Sequence, residues 1–309
     1  MKYAINFSKY PAREMYGSKL IFLPPPQAGF FYCCTIGNMK YETVPSVTLP
    51  TIGFGTWKMG GNSSPNHSVD AKSLAALQSA LDLGYTHFDT AEMYASGHSE
   101  ELVGQAIREA KVKREDVFIT TKIHPSHLNY KDALKACEDS LRRLNMDYID
   151  LYLIHWPQAG MKLEDAFRAL NKLVRDGKVK HLGVSNFNVK LLKQSQSLSE
   201  TPIITNQVPY SINDRSYVKN GMLEYCQQND ILLTAYSPVD EGNLRSNKTL
   251  ESIAKAHTAS IFQIALAWII SQPRVITIPM SFDPTHIKEN FDAAEIELTQ
   301  NEINQLSNG

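Results

Sequence analysis

The sequence predicts an α/β protein built as a (β/α)8 barrel, with two additional helices outside the repeat. From residue 50 onward, short β-rich runs alternate with amphipathic helical stretches, and eight strand-helix units can be counted without a break. The phosphate-binding pattern GxGxxG of doubly wound sheets is missing, because GFGTW at 53–57 has no third glycine. A doubly wound sheet is therefore the weaker alternative.

The predicted strands are short runs rich in β-branched and aromatic residues. They lie at residues 51–57, 85–90, 116–123, 148–156, 180–186, 203–207, 231–238 and 275–279. The apolar run VFI at 117–119 suits a strand that is buried on both faces, as strands of parallel sheets are. Together the eight runs favour a closed parallel barrel.

The predicted helices have apolar residues three or four positions apart. Leu74, Leu77 and Leu81 share one face of the first helix, and Gly84 ends it. Helices of the repeat are predicted at 69–83, 99–110, around 134–144, and at 164–177, 217–228, 261–272 and 285–294. Two further helical patterns, at 249–257 and 297–307, do not belong to the repeat and are predicted to decorate the barrel.

Composition excludes several classes of partner. The chain has 309 residues and a net charge of −1, so it offers no basic field for nucleic acid or an acidic membrane surface. No apolar run reaches the roughly 18 residues that a membrane span needs. The four cysteines have no CxxC spacing and no neighbouring histidine cluster, which predicts a reducing compartment and no metal site. We expect a cytoplasmic protein with a small-molecule partner, either a monomer or a weak homo-oligomer.

The first 38 residues differ from the rest of the chain. They show no sustained period, contain PPP at 24–26, and have too short an apolar run for a signal sequence. Met39 then opens a second MKY, and regular patterning begins just after it. We expect residues 1–38 to be a poorly ordered extension or an upstream start, and residues 39–309 to form a single barrel domain.

Four polar side chains follow three consecutive predicted strands. Asp89 and Tyr94 come after the second strand, Lys122 ends the third, and His155 ends the fourth. Singly, such residues are more often helix caps, rim residues or satisfied core groups. Functional side chains of barrels gather at the C-terminal ends of the strands, so these four are expected to converge on one mouth. Taken together they favour a functional site.

Seven motifs carry a resemblance to a known family. In order along the chain they are FDTAEMY, TTKI, LYLIHWP, GVSNF, NQVPY, AYSP and IPMS. From residue 44 to 306 the sequence resembles the aldo-keto reductase superfamily, and most closely its short microbial members such as diketogulonate, glyoxal and glyceraldehyde reductases. The resemblance implies a barrel that binds a nicotinamide dinucleotide without a Rossmann fold. It also implies that Asp89, Tyr94, Lys122 and His155 form a catalytic tetrad.

The implied reaction is NAD(P)H-dependent reduction of a small aldehyde or ketone to an alcohol by hydride transfer, with Tyr94 as proton donor. A free phenol has a pKa of about 10, so Lys122 is expected to lower that pKa by favouring the phenolate. Asp89 is expected to keep the buried Lys122 charged. His155 is expected to orient the carbonyl group and to hydrogen-bond its oxygen.

By the same resemblance, the cofactor is NADPH (NADP), with NADH left open. Residues near 185, 207 and 236 are expected to contact the nicotinamide. The loop from residue 237 to about residue 243 is expected to contact the pyrophosphate, and residues 281–290 are expected to contact the adenosine end. The residues expected to contact the cofactor are Gly55, Thr56, Trp57, Asp89, Ser185, Asn186, Gln207, Tyr236, Ser237, Pro238, Val239, Pro279, Met280, Ser281, Phe282, His286, Glu289 and Asn290. The residues expected to contact the substrate are Trp57, Tyr94, His155 and Trp156.

The sequence departs from the family pattern at two positions that concern the cofactor. NADPH-preferring relatives commonly carry a lysine and an arginine where this chain has Met280 and His286. Methionine has no charge and histidine is mostly neutral near pH 7, so weak discrimination between NADPH and NADH is expected. Alternatively, Lys288 or Ser281 supplies the contact to the phosphate of NADPH.

The substrate and the type of function leave further choices. His124 and Pro125 stand where many relatives have an aromatic residue, and the chain is too short for the long lid of steroid-handling relatives. We therefore expect small aldehydes or α-dicarbonyls rather than steroids. The alternative function is a cofactor-sensing regulatory protein, like the potassium-channel β subunits of the same superfamily.

Overall fold

The computed structural model describes residues 39–244 and 247–308, together with the backbone of two short strands before them. The chain divides into two units, residues 1–35 and 36–309. In the first unit, β1 (Met15–Tyr16) pairs with β2 (Lys19–Leu20) in antiparallel fashion. The rest of residues 1–38, for which a poorly ordered extension was predicted, lies outside the described residues.

The second unit is the predicted barrel. An antiparallel hairpin, β3 (Tyr41–Val44) and β4 (Val47–Pro50), precedes eight parallel strands that neighbour one another in chain order. The eight strands are β5 (Phe54–Gly55), β6 (His87–Asp89), β7 (Phe118–Ile123), β8 (Ile149–Ile154), β9 (Val179–Ser185), β10 (Ile203–Pro209), β11 (Leu232–Tyr236) and β12 (Val275–Thr277).

The first and last strands of the repeat close the barrel through the backbone. The Gly53 amide donates to the Thr277 carbonyl at 2.8 Å, and the Thr277 amide donates to the Thr51 carbonyl at 2.8 Å. Two residues further along each strand, the Gly55 amide donates to the Pro279 carbonyl at 3.0 Å. Closure brings residues 51–55, which include β5, next to residues 277–279 at the end of β12. These two segments are more than 220 residues apart in the sequence.

The helices surround this sheet. They are α1 (Asp70–Leu83), α2 (His98–Glu109), α3 (Tyr130–Leu144), α4 (Leu163–Arg175), α5 (Val189–Leu198), α6 (Ser216–Lys219), α7 (Met222–Gln228), α8 (Lys248–Ala256), α9 (Ile261–Ile270), α10 (Pro284–Asp292) and α11 (Gln300–Asn308). Helices α8 and α11 are the two predicted outside the repeat. Among the described residues no single helix is long and apolar enough to cross a membrane, and only α8 with α9, a pair bent by 90°, reaches that length and composition.

Two helices differ from the prediction. The helix predicted over 217–228 is broken into α6 and α7, because Gly221 has a φ of +79° and cannot continue a right-handed helix. Helix α5 was not singled out from the sequence, since it buries only Leu192 and Ser195 and so has a weak apolar face. The Asn188 side chain caps α5 by accepting a hydrogen bond from the Leu191 amide at 2.9 Å.

The N-terminal end of the barrel interior is aliphatic. Side chains from four strands form a small apolar cluster there, and the β3–β4 hairpin contributes two more. The cluster consists of Val44, Leu49, Leu151, Leu153, Ile204, Leu232 and Ile276. The sequence analysis did not predict this hairpin, which covers the end of the barrel opposite the strand C-termini and leaves them as the open face.

An irregularity in β10 changes which residues face the interior. Between its pairings with Leu182 and Val184 of β9, β10 contains one residue more than β9 does. Because side chains alternate between the two faces of a strand, one extra residue reverses the alternation. Ile204 therefore joins the interior apolar cluster, and Gln207, three residues later, also faces inward. Without the extra residue these two side chains would lie on opposite faces.

Candidate active site

A buried lysine lies at the centre of the site. Asp89 is the last residue of β6, and Lys122 lies near the end of the adjacent strand β7. The Lys122 Nζ donates to Asp89 Oδ1 at 2.5 Å, to the Thr90 carbonyl at 2.8 Å and to the Tyr94 hydroxyl at 3.1 Å. Lys122 is fully buried and Asp89 is nearly so. Each of the three ammonium protons therefore has an acceptor, as a buried ammonium requires.

These contacts fix the charge of Lys122. Burial alone lowers the pKa of this ammonium, but the charge of Asp89 and the hydrogen bonds to Asp89 and Tyr94 more than offset it, so the pKa is raised overall. Lys122 is thus positively charged at neutral pH, as predicted.

The prediction for the tyrosine was wrong in its net direction. Burial raises the pKa of Tyr94, and the positive charge of Lys122 lowers it by less, so the pKa lies above its ordinary value. Tyr94 is therefore a protonated phenol at neutral pH, beside a cation that stabilises its anion.

An unusual backbone segment follows Tyr94. Ala95, Ser96 and Gly97 have φ values of 48°, 54° and 95°, so three consecutive residues occupy the left-handed region. The Ala95 amide donates to the Asn62 carbonyl at 2.9 Å, and the Ser96 hydroxyl donates to the Ser63 carbonyl at 2.8 Å. These hydrogen bonds hold the segment in place, and with it the phenol above Lys122.

Helix α2 attaches the same segment to the outer face of β7. Glu100, in the first turn of α2, is fully buried. It accepts hydrogen bonds from the Thr121 hydroxyl at 2.6 Å and from Arg143 Nε at 2.6 Å. Thr121 precedes Lys122 and points to the opposite face of the strand. Both faces of β7 are therefore linked to the residues around Tyr94.

His155 follows β8 and lies beside the tyrosine, with 5.7 Å between the two ring centres. Its Nδ1 is buried and has no hydrogen-bond partner among the described residues. Burial lowers the pKa of His155 to about 2, with smaller contributions from the charges of Lys122 and His124. The imidazole is therefore neutral, and it can donate or accept a hydrogen bond without carrying a charge.

Hydrogen bonds join the predicted nicotinamide-binding residues to the tetrad. The Gln207 side chain donates to Asp89 Oδ2 at 2.8 Å, and the Asn186 side chain donates to the His155 carbonyl at 3.1 Å. The Tyr236 hydroxyl donates to Asn186 Oδ1 at 3.0 Å, and the Ser185 hydroxyl donates to the Gln207 carbonyl at 2.8 Å. Asn186 has a φ of 63°, a left-handed conformation that asparagine tolerates better than most residues.

A cavity of about 740 Å³ opens next to the tetrad. Asp89, Tyr94 and His155 line it, while Lys122 lies buried behind them. Every residue that the sequence analysis assigned to the cofactor or to the substrate lines the same cavity. The structure thus places these residues together, and the roles assigned to them stay predictions.

Sequence reasoning missed an ion pair at this cavity. Lys58 Nζ lies 2.5 Å from Glu241 Oε2, and both residues line the cavity. Both also have positive φ values, 71° and 53°. The pair joins the loop after β5 to the loop after β11. Nothing in the local sequence of either loop signals a partner 183 residues away.

The comparison with known proteins decides the family. The sequence model of the "Aldo/keto reductase family" matches residues 51–308. The chain belongs to the aldo/keto reductase family. It is accordingly an oxidoreductase, and its eight parallel strands form the barrel of that family.

Curated relatives and solved structures agree with this assignment. The chain is 38% identical over 266 residues to methylglyoxal reductase YeaE of Escherichia coli (strain K12), covering 84% of this chain and 90% of that protein. It is 38% identical over 260 residues to glyoxal reductase of Bacillus subtilis (strain 168), covering 84% and 88%. The thermostable aldo-keto reductase Tm1743, solved with the inhibitor epalrestat, shares 44% identity with a TM-score of 0.84, covering 87% and 99%. An aldo-keto reductase from Klebsiella pneumoniae, solved with NADPH, shares 36% identity with a TM-score of 0.78, covering 87% and 95%.

The buried ion pair of this aldo/keto reductase predicts a specific pattern of stability. Lys122→Met should lower the free energy of unfolding by about 3–5 kcal/mol, because Asp89 is left as an unpaired buried carboxylate. The double variant Asp89→Asn with Lys122→Met should be more stable than Lys122→Met alone, since it removes that charge. Urea unfolding of the single and double variants measures both differences.

Lys135→Met is the matched control, because Lys135 pairs with Asp139 on the exposed side of α3. It should leave the unfolding midpoint unchanged. Equal stability of the single and double variants would show that the Asp89 carboxylate is not destabilising when Lys122 is absent.

Proposed function

We propose that the protein reduces the carbonyl group of small aldehydes and α-dicarbonyls to alcohols, with NADPH as the hydride donor. The observation that carries this proposal is the Lys122 ammonium, which binds both Asp89 and the Tyr94 hydroxyl behind the wall of the cavity. Relatives named methylglyoxal reductase and glyoxal reductase support the substrate class. The NADPH complex of the Klebsiella pneumoniae relative supports the cofactor.

The residues present fit a nicotinamide dinucleotide. Near the tetrad, the cavity offers the side-chain amides of Asn186 and Gln207 and the ring of Tyr236, which suit a carboxamide and a flat heterocycle. Gly55 lines the floor, where a Cβ atom would lie 2.7 Å from the Ile278 carbonyl oxygen, so no side chain can occupy this position. We infer that these residues hold the nicotinamide and that the cavity wall formed by 279–290 holds the adenosine end. Bound NADPH would supply a hydride to the carbonyl carbon.

The side chains of the protein donate the proton and stabilise the anion that remains. Tyr94 enters the reaction protonated, because burial raises the pKa of its hydroxyl. It donates the proton to the carbonyl oxygen as negative charge develops there. The Lys122 ammonium, 3.1 Å away, stabilises the phenolate that remains, and Asp89 keeps that ammonium charged. The neutral His155 orients the carbonyl oxygen next to Tyr94 by a hydrogen bond.

The aromatic side chains around Tyr94 favour a small substrate. The ring centres of Trp57 and Tyr94 are 4.9 Å apart, and those of His155 and Trp156 are 4.7 Å apart. The His124 ring, at the position where many relatives carry an aromatic residue, lies 4.9 Å from the Trp156 ring. Trp57, His155 and Trp156 line the cavity beside Tyr94, while His124 contacts Trp156 outside that lining. We infer that these rings favour compact carbonyl compounds over extended ones.

The adenosine end supports weak discrimination between NADPH and NADH. Met280 and His286 both line the cavity, where NADPH-preferring relatives commonly carry cations. Of the two alternative contacts, Lys288 does not line the cavity and its Nζ lies 2.5 Å from Asp292 Oδ2 on the same helix, whereas the uncharged Ser281 does line it. We therefore propose that both dinucleotides are accepted, with a modest preference for NADPH.

Tyr94→Phe tests the proposed mechanism. The variant removes the proton donor but keeps the ring contact with Trp57, so NADPH binding should survive while kcat for methylglyoxal falls at least about 100-fold. Steady-state kinetics with methylglyoxal and glyceraldehyde measure turnover, and quenching of intrinsic fluorescence measures binding. Unchanged turnover would refute Tyr94 as the proton donor. Wild-type protein that binds NADPH but hardly turns over any carbonyl would instead support the cofactor-sensing alternative.

Met280→Lys tests the proposed cofactor discrimination. An added ammonium at this position should bind the 2′-phosphate of NADPH and raise the ratio of kcat/KM for NADPH over NADH about tenfold. Lys288→Met is the control, and it should leave the ratio unchanged because Lys288 does not line the cavity. A strong wild-type preference for NADPH that Met280→Lys does not increase would show that another group binds the phosphate.

A further inference from the structure

A cluster of imidazole and carboxylate groups lies outside the active-site cavity. His67 Nδ1 lies 2.9 Å from Asp70 Oδ2, and His98 Nε2 lies 2.8 Å from Asp70 Oδ1. The other ring nitrogen of His98 lies 2.7 Å from Glu101 Oε2. Within residues 39–244 and 247–308, His67, Asp70 and His98 form the one group of three potential metal ligands whose ligand atoms all lie within 4.8 Å of one another.

The surroundings of His98 call for a cation. A neutral imidazole has a single N–H, yet both ring nitrogens of His98 face carboxylate oxygens. If the N–H is donated to Glu101, the lone pair of Nε2 points at an oxygen of Asp70, and two acceptors then face each other. A cation between these two atoms removes the repulsion, and it can be a proton or a metal ion.

The position of Glu101 fits either cation, and the additional ligand atom of His67 favours the metal ion. Histidines that bind metals usually donate their second ring N–H to a carboxylate or a carbonyl, which fixes the ring and the tautomer. Glu101 stands in that position relative to His98. Asp70 can contribute an oxygen, and Nδ1 of His67 adds a third ligand atom close by.

We propose that His67, Asp70 and His98 bind one Zn²⁺ ion, with Glu101 as the partner that orients His98. Two imidazole nitrogens and one carboxylate oxygen suit zinc, and a water molecule completes the tetrahedral set.

Zinc binding requires the side chains to adjust. Zinc holds such ligands at about 2.0–2.2 Å, which places neighbouring ligand atoms about 3.3 Å apart in a tetrahedron. At present His67 and His98 contact different oxygens of Asp70, at 2.9 and 2.8 Å, so the Asp70 carboxylate must turn one oxygen towards the ion while these separations widen by about half an ångström. The His67 side chain is 75% exposed and can move. His98 is fixed against the turn before α1, where a Cβ on Gly60 would lie 2.8 Å from its ring.

The site connects two elements that surround the catalytic tyrosine. His67 begins the 3-10 turn His67–Val69 directly before α1, Asp70 is the first residue of α1, and His98 is the first residue of α2. His98 directly follows the left-handed segment 95–97, which itself follows Tyr94. Bound zinc would therefore fix the far end of that segment and raise the thermal stability of the protein. The sequence analysis predicted no metal site, because these ligands form no recognisable spacing pattern: His98 lies 28 residues beyond Asp70.

Zinc titration of the full-length protein, stripped of metal with EDTA, tests the proposal. Competition with a chromophoric chelator should show one equivalent of Zn²⁺ bound with a micromolar or lower dissociation constant, and Zn²⁺ should raise the melting temperature. Co²⁺ used as a spectroscopic substitute should give the visible absorption of a tetrahedral site. His67→Gln, an exposed position where folding is not at risk, should weaken Zn²⁺ binding at least about 100-fold, and Glu101→Gln about tenfold.

The control is His257→Gln, since His257 also pairs with a carboxylate, Glu302, but has no third ligand beside it among the described residues. Binding of Zn²⁺ to this variant should equal that of the wild type. Failure to bind one equivalent, or Zn²⁺ binding that survives both His67→Gln and His98→Gln, would overturn the proposal and indicate adventitious metal only. None of these measurements depends on carbonyl reduction.

Discussion

A lysine ammonium with no access to solvent must find an acceptor for every proton. Lys122 meets this requirement with a carboxylate, a backbone carbonyl and a phenol, all supplied by the segment from Asp89 to Tyr94. Strand β6 must therefore lie next to β7, and the chain must turn back over the ammonium after β6. The charge on Lys122 is both the reason that this segment is held and the source of the electrostatic support for Tyr94.

The rest of the fold keeps Lys122 charged although it is buried. The interior is closed by aliphatic side chains and the β3–β4 hairpin at one end, so the polar groups are confined to the other end. The extra residue in β10 directs Gln207 into the interior, where its amide occupies the second oxygen of Asp89. On the outer face, Glu100 and Arg143 hold α2 against β7. Burial that would otherwise remove the charge of Lys122 is in this way balanced by fixed partners.

The repeat of strands and helices could be predicted from the sequence because it depends on local periodicity. That Asp89, Tyr94, Lys122 and His155 lie together could be predicted, because they follow three consecutive strands within three recognisable motifs. The β10 irregularity, the Lys58–Glu241 pair and the His67–Asp70–His98 cluster could not, since each depends on residues that only the closed barrel brings together. The net pKa direction of Tyr94 was also missed, because the extent of burial decides it and burial is not visible in the sequence. Helix α5 was missed for the opposite reason, since its apolar face is too small to produce a periodic signal.

Lys122 electrostatically stabilises the anion of Tyr94. The most direct measurement is the titration of the Tyr94 hydroxyl by NMR, using ¹³C-labelled tyrosine and the Tyr94→Phe variant to assign the resonance. In wild-type protein the pKa of Tyr94 should lie above the ordinary value of about 10, because burial outweighs the effect of Lys122. In Lys122→Met it should lie higher still, because the ammonium is lost and the Asp89 carboxylate remains. A pKa for Tyr94 that is unchanged or lower in Lys122→Met would show that Lys122 does not stabilise the phenolate.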